Sequence, residues 1–241
     1  MKTNRTRVAV LGALFAPCAL ASAQERVSFV TTLGKDTLSF EQFDRTHDSV
    51  VGDWVTTYGG IMVHHYAIHM RPDGSVDRYQ LTMHRVSGHV DGTFDLQFVG
   101  DSLVARSSGG SEQRVAVKDA IPVASYTIGA YDLVMAHARA SGGDSSVVPI
   151  VSAFGPYRRG GMPIVFVGGV SARTGNPVAP YWVKLDRDGH IVAMSARATT
   201  TRTETLRVPN YDWHGLIAHF QNVPDSVGVA GAPAISPRDT V

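Results

Sequence analysis

The sequence predicts a mainly β domain: a strongly curled antiparallel sheet, built as a half-barrel or as a two-layer sandwich, with one central amphipathic helix and a short C-terminal helix. Three observations lead to this fold class. About a dozen short runs have strand composition and are separated by turn residues. Apolar residues recur at helical spacing in one long segment. A dozen strands is more than one flat open sheet usually holds, and we therefore expect the sheet to curl or to split into two layers.

The first residues have the layout of a secretory signal peptide, with basic residues, an apolar stretch at Val8–Leu20 and a small-residue end. We expect cleavage of residues 1–23 before Gln24. The apolar stretch is shorter than the roughly 20 residues that span a bilayer. Lipid attachment at Cys18 is the alternative, although its neighbours fit a lipoprotein signal poorly. The sequence therefore predicts an exported protein of the periplasm or extracellular space, with no transmembrane segment in the mature chain.

The charge balance narrows the class of partner. The full chain has 22 Lys and Arg residues against 21 Asp and Glu residues, and three of the basic residues lie in the leader. The mature chain therefore has a net charge of −2, which argues against nucleic acid as a partner, because such proteins need a basic surface. The one cysteine, Cys18, also leaves with the leader. A hydrophobic core, rather than disulfide bonds, must hold the mature domain together.

Three hairpins can be predicted with their register, because directly paired residues project to the same face and apolar residues should meet apolar residues. The predicted pairs are Ile68 with Tyr79 and Tyr66 with Leu81 around Arg71–Gly74, Phe98 with Leu103 and Leu96 with Ala105 around Gly100-Asp101, and Leu185 with Val192, Val183 with Met194 and Tyr181 with Ala196 around Asp188-Gly189. Further strand-like runs are Val27–Leu33, Leu38–Arg45, Val50–Tyr58, Arg114–Val117, Val147–Ala153, Ile164–Val170 and Thr199–Val208.

The central helix is predicted near residues 126–140, with Ser125 as its N-cap and a glycine pair after its end. Its apolar stripe includes Tyr131 and Met135, which we expect to face the sheet, while Arg139 should face away.

The C-terminal region is predicted in two parts. A shorter helix should run from Trp213 to Phe220, with Asp212 as its cap. Residues 221–241 are rich in Pro, Gly, Ala and Ser, and such a composition predicts a disordered tail. Residues 24–220 should therefore form one antiparallel β domain.

Ten histidines suggest a metal site, but strand geometry argues against one. His64 and His65 should point to opposite faces, and His65 and His69 should stand about 13 Å apart at roughly 3.3 Å per residue. Only His65 with His84, diagonal across the hairpin, could share an ion. We therefore predict no metal ligands and no cofactor.

Sequence motifs for nucleophilic catalysis are absent: there is no G-x-S-x-G, S-x-x-K, H-E-x-x-H or G-x-x-x-x-G-K-[ST]. A catalytic triad can assemble from distant residues, so an unrecognised hydrolase remains an alternative. The sequence favours a protein that is not an enzyme.

Two surface features suggest ligand contacts. Adjacent arginines in the turn at residues 156–161 could hold a phosphate or carboxylate headgroup, and alternating threonines at residues 199–205 offer a ladder of hydroxyls. Aromatic residues also lie on strands with apolar residues on both faces, as expected if one face lines a cavity. The residues predicted to bind a ligand are Tyr131, Met135, Tyr157, Arg158, Arg159 and Trp182.

The motif Leu-Gly-Lys-Asp-Thr-Leu at residues 33–38, with Glu41, Phe43 and Arg45 after it, resembles uncharacterised exported β-rich envelope proteins of Gram-negative-type bacteria. The run Leu185–Val192 resembles the same group of proteins. This resemblance implies a fold style and brings no catalytic residues with it. The predicted curled sheet with a crossing helix is also similar to periplasmic lipid and lipoprotein carriers, in which a half-barrel and a helical plug enclose an apolar cavity.

The leading functional hypothesis is an exported, non-enzymatic envelope protein that binds an apolar or amphipathic, lipid-like ligand. The alternatives are the unrecognised hydrolase and a structural or interaction protein whose partner is another envelope protein. The sequence does not distinguish between oligomeric states. A continuous apolar cavity would favour carriage, and a filled core with an exposed apolar patch would favour interaction.

Overall fold

The structure is a computed structural model, and it describes residues 24–57, 60–110, 112–124, 127–175, 180–197 and 202–209, together with Asp212 and Gly215. The predicted leader and the predicted disordered tail lie outside the described residues. The short helix predicted from Trp213 to Phe220 also lies outside them, apart from Gly215.

Most of the described chain is strand, and the strands share one sheet. The sheet has fifteen strands in the order β8-β7-β6-β5-β4-β3-β2-β1-β15-β14-β13-β12-β11-β10-β9. Neighbouring strands run antiparallel except for β9 and β10, which are parallel. The strands are β1 (Glu25–Leu33), β2 (Asp36–Arg45), β3 (Ser49–Thr56), β4 (Met62–Met70), β5 (Val76–Arg85), β6 (Val90–Val99), β7 (Ser102–Ser107), β8 (Gln113–Ala116), β9 (Ile121–Val123), β10 (Ser145–Ser152), β11 (Gly160–Phe166), β12 (Ser171–Thr174), β13 (Tyr181–Leu185), β14 (Ile191–Arg197) and β15 (Arg202–Arg207).

This strand order confirms a mainly β, mostly antiparallel domain, and it corrects the two-layer alternative, because the described strands are not divided between two sheets. Strands β1 to β8 form one meander and β10 to β15 form another. The first and last strands of the chain, β1 and β15, pair with each other and join the two meanders. Chain-distant strands therefore meet in the middle of the sheet.

Two predicted hairpins have the predicted register. Phe98 pairs with Leu103 across the Gly100 turn, and Ile68 pairs with Tyr79 in the β4–β5 hairpin. A glycine suits each turn, since Gly100 has a φ of 58° and Gly74 a φ of 81°.

The third hairpin is right at Val183 with Met194 and at Tyr181 with Ala196, but wrong nearer its turn. A bulge makes Leu185 pair with Ile191, rather than with Val192. The backbone N–H of Ile191 donates a hydrogen bond of 2.8 Å to Asp132 of the helix. This tertiary contact holds the start of β14 against the helix. The rules of hairpin register do not predict such a contact, so they did not predict the bulge.

A second correction concerns the predicted run Ile164–Val170. Strand β11 ends at Phe166, a turn follows, and a new strand β12 begins at Ser171. Val167 and Val170 lie in that turn and are about half exposed, at 48% and 55%. Gly168 turns the chain with a φ of 65°, a conformation that favours glycine. The apolar composition of the run therefore predicted a continuous strand where the chain turns.

The helix of the described chain, α1 (Ile128–Ala140), confirms the predicted central helix. Thr127, rather than Ser125, occupies the N-cap position, and its side chain makes no capping hydrogen bond. At 13 residues, α1 is too short and not apolar enough to cross a membrane, and no longer helix occurs in the described ranges.

The sheet has two distinct faces. We call the face that carries Phe43, Tyr66 and Leu81 the inner face and the opposite one the outer face. Helix α1 lies on the inner face, and its buried side chains join a core cluster with residues of nearly all the strands. The helix contacts β9, β10 and β14. Its Gly129 also lies against Tyr66 of β4 and Val50 of β3.

Candidate functional site

A carboxylate lies inside the domain at the start of the helix. Glu41 of β2 is 2% exposed. It accepts a hydrogen bond of 2.5 Å from the Tyr66 hydroxyl and one of 3.0 Å from the backbone N–H of Gly129, as well as one from the N–H of Ile128. The first N–H groups of a helix have no partner within the helix. Glu41 therefore caps α1 from the sheet, in place of the unused Thr127 side chain.

The close approach at this cap requires a glycine in the helix. A Cβ atom at position 129 would collide with the Tyr66 hydroxyl and would lie 3.0 Å from a Val50 methyl group. Burial, with a smaller contribution from the nearby Asp132, raises the pKa of Glu41 to about 7 against the opposing effect of its hydrogen bonds.

A second polar cluster holds the middle of the helix. Asp132, which is 5% exposed, lies 3.0 Å from Nδ1 of His190 and forms an ion pair with Arg45. Arg45 also pairs with Glu25. The hydrogen bond with Asp132 raises the pKa of His190. The Asp132 carboxylate of the helix is thereby linked to β2 through Arg45, to β1 through Arg45 and Glu25, and to the start of β14 through His190.

These two clusters fit a structural role better than a catalytic one. An Asp–His pair is one half of a catalytic triad, but Nδ1 of His190 also lies 2.7 Å from the Arg45 guanidinium. The partners that the structure gives this imidazole are therefore a carboxylate and a guanidinium, and neither is the hydroxyl or thiol nucleophile of a triad. Each cluster instead pairs buried polar groups that α1 and the sheet bring together.

The histidines of the β4 strand are separated as strand geometry predicts. His64 is buried on the inner face, where its ring stacks on Trp54 at 4.1 Å and burial lowers its pKa to about 4. His65 is on the outer face and lies 3.0 Å from Asp53. No group of three or more His, Cys, Asp or Glu side chains within the described ranges could hold a metal ion.

The outer face of β12 to β15 carries an open groove of about 230 Å³. Trp182 is 44% exposed beside it, and the Arg173 guanidinium stacks over the Trp182 ring at 5.6 Å. Lys184 is exposed in the same groove, where Glu204 is paired with Arg202. The lining includes Ser171, Trp182, Lys184, Ala193, Ser195 and Leu206. The groove thus combines an aromatic ring and aliphatic groups with an excess of cations.

The structure does not bring the predicted ligand-binding residues together. Met135 is fully buried in the core and Tyr131 is half-buried beside Tyr181, so both lie on the inner face. Tyr157, 8% exposed, packs against the same core.

The remaining predicted residues lie elsewhere on the surface. Arg158 and Arg159 are exposed in the β10–β11 loop, and Trp182 is on the outer face.

The sequence did not predict the buried polar groups that join the helix to the sheet. A signal for Asp132 was present, since an acid stands on the apolar stripe of the helix between Ile128 and Met135. Glu41 likewise shares its strand face with Phe43. An acid on an apolar face indicates a buried partner, but the sequence alone does not identify that partner.

Comparison with known proteins supports the fold. No family model matches the sequence, and no curated protein matches it. A crystal structure of a DUF1089 family protein from Pseudomonas aeruginosa is similar with a TM-score of 0.50 at 11% identity, covering 65% of this chain and 89% of that one. The β-barrel-like protein of the domain of unknown function DUF1849 from Brucella abortus is similar with a TM-score of 0.51 at 12% identity, covering 77% and 95%. At these identities the similarity shows a shared β-rich fold.

Proposed function

We propose that this chain is an exported, non-enzymatic protein of a bacterial envelope, and that it binds an amphipathic ligand with an acidic headgroup in the outer groove beside Trp182. The observation that carries the proposal is the exposed Trp182 ring, stacked with Arg173 and flanked by Lys184 and the aliphatic Leu206. Exposed aromatic and aliphatic groups would hold an apolar chain. The cations would hold a carboxylate or phosphate. Export rests on the signal-like residues 1–23.

A half-barrel shape fits this proposal. Helix α1 touches β10 and is also capped by Glu41 of β2. Those strands are seven places apart in the sheet, which would be about 34 Å in a flat sheet with roughly 4.8 Å between strands. A helix of 13 residues is only about 20 Å long and 10 to 12 Å across, so we infer that the sheet bends around it.

The filled interior favours the groove over a cavity beneath the helix. Ile128, Val134 and Met135 are each at most 1% exposed within the core cluster. A ligand on the inner face would have to displace these packed side chains, whereas the groove is already open to solvent.

A titration with laurate tests the proposal. We expect laurate to change the tryptophan emission of the wild type, and Trp182→Ala to abolish most of that change. Lys184→Gln should weaken laurate binding by at most about fivefold, because an exposed ion pair contributes about 0 to 1 kcal/mol. Its effect on the uncharged detergent dodecyl maltoside should be smaller.

The matched control is Val99→Ala, which removes an exposed apolar side chain on the distant β6–β7 hairpin. Equal laurate affinity by titration calorimetry in wild type, Trp182→Ala and Val99→Ala would exclude the groove as the binding site.

A further inference from the structure

An apolar row crosses the outer face of the sheet beside the groove. Its members are consecutive cross-strand partners, so their side chains lie next to one another. Leu206 pairs with Val30, Val30 with Phe40, Phe40 with Val55 and Val55 with Val63. We call Val30, Phe40, Val55 and Val63 the outer apolar row.

The outer apolar row is covered. Its four side chains are between 1% and 4% exposed, although they are not part of the core cluster around α1. The cover is local, because His65, on the same face two residues beyond Val63, has a side chain that is 56% exposed. Helix α1 cannot be the cover, since it lies on the inner face.

We propose that the chain's own C-terminal segment, residues 210–220, docks on the outer apolar row. The path of the chain supports this. After β15, the N–H of Val208 donates a hydrogen bond of 2.9 Å to the carbonyl of Ser28, two residues from Val30 on the same strand face. Val208 and Pro209 line one cleft with Ser28. The chain thus leaves the sheet on the outer face, beside the row.

The sequence of the segment fits the row. Asp212 accepts a hydrogen bond of 3.0 Å from the N–H of Gly215, which is the bond of a helix N-cap. After this cap, apolar residues recur at the spacing of one helix face. They are Trp213, Leu216, Ile217 and Phe220. Eight helical residues span about 12 Å, and four strands span about 14 Å, so the segment has the length to cover the row.

A single-tryptophan variant tests the docking in the whole chain. The protein has three tryptophans and one cysteine, so Trp54→Phe, Trp182→Phe and Cys18→Ser leave Trp213 as the sole tryptophan and no thiol. We expect Trp213 to be several-fold less quenched by acrylamide in the folded protein than in urea. A nitroxide on His65→Cys, beside the row, should quench Trp213 strongly. The same label on Val99→Cys, at the far hairpin, should not. A solvent-exposed Trp213, or equal quenching from both labels, would overturn the proposal.

Truncation supplies an independent measurement and tests the rival occupant. A chain that ends at Pro209 should bind the apolar dye ANS several-fold more strongly than the full chain, while a chain that ends at Gln221 should not differ. A chain that starts at Gln24 should keep its low dye binding. If that chain instead exposes the row and the chain ending at Pro209 does not, the N-terminal leader is the occupant and the proposal is wrong. These readouts need no ligand, so they stand apart from the proposed function.

Discussion

The pKa of Glu41 is subject to two opposing effects. Its complete burial disfavours the ionised carboxylate, while hydrogen bonds from Tyr66, Gly129 and Ile128 favour it. Burial is the larger effect, so the pKa lies at about 7, above the ordinary value of 4.5. The charge of the group that caps α1 therefore depends on pH near neutrality. The free energy of unfolding should therefore change with pH over this range.

Replacing Glu41 tests this dependence. Between pH 4.5 and 7 the folded state keeps a proton that the unfolded chain has lost, so the free energy of unfolding should fall as pH rises. One such group contributes up to about 1.4 kcal/mol per pH unit, and its effect levels off above pH 7. We expect Glu41→Gln to remove this slope in urea unfolding measured from pH 4.5 to 8.

The difference between variant and wild type is the quantity to measure, because His64 contributes with the opposite sign. Burial lowers its pKa to about 4, so its contribution to stability is lost as pH falls below about 6.5. The control is Glu112→Gln, on an exposed turn, which should keep the wild-type slope. An unchanged slope in Glu41→Gln would contradict the assigned role.

At the scale of elements, the helix shows why local and tertiary features differ in predictability. Its position and its buried Val134 and Met135 followed from apolar spacing, which a helix must place on one face. Arg139 was expected to face away, but its guanidinium lies 5.6 Å from the Phe166 ring centre and donates to the carbonyl of Gly169. That contact depends on the position of the β11–β12 turn, and the spacing of apolar residues in the helix does not predict this position.

The same division applies to the strands and to the site. Hairpin registers followed from turn residues and alternation, because both are local. The bulge at Val192 and the cap by Glu41 could not be predicted, because each depends on how α1 crosses the sheet. Of the predicted site residues, Trp182 lies at the proposed groove. Met135 is core, and its apolar stripe could not distinguish core packing from contact with a ligand.

Met135→Ala measures how tightly the helix is packed. Because Met135 is fully buried, we expect the variant to lose about 2 to 5 kcal/mol of unfolding free energy, as in tightly packed cores. Urea unfolding gives the value, and His137→Ala on the exposed side should change it by less than about 0.5 kcal/mol. A small loss in Met135→Ala, together with stabilisation by added laurate, would indicate a ligand cavity beneath the helix instead.

At the scale of the whole molecule, the sheet depends on one seam. Strands β1 and β15 join the two meanders, and their residues are far apart in the chain. Thr31 and Thr205 pair across this seam, both are 3% exposed, and their hydroxyls form a hydrogen bond of 2.9 Å. The bond is buried on the inner face, so each hydroxyl depends on the other for a partner.

A double-mutant cycle on this pair tests whether the hydroxyls stabilise the seam as a unit. Thr31→Val or Thr205→Val alone leaves the other hydroxyl buried without a partner, which should cost about 1 to 3 kcal/mol. The double variant replaces both groups with apolar ones of the same shape, so its loss of unfolding free energy should be clearly smaller than the sum of the single losses. Thr82 and Thr93 form a directly paired control on the more exposed outer face of β5 and β6. Water can satisfy their hydroxyls, so their valine substitutions should be additive. Additive losses at Thr31 and Thr205 would show that the two meanders are held together by strand pairing and apolar packing without this bond.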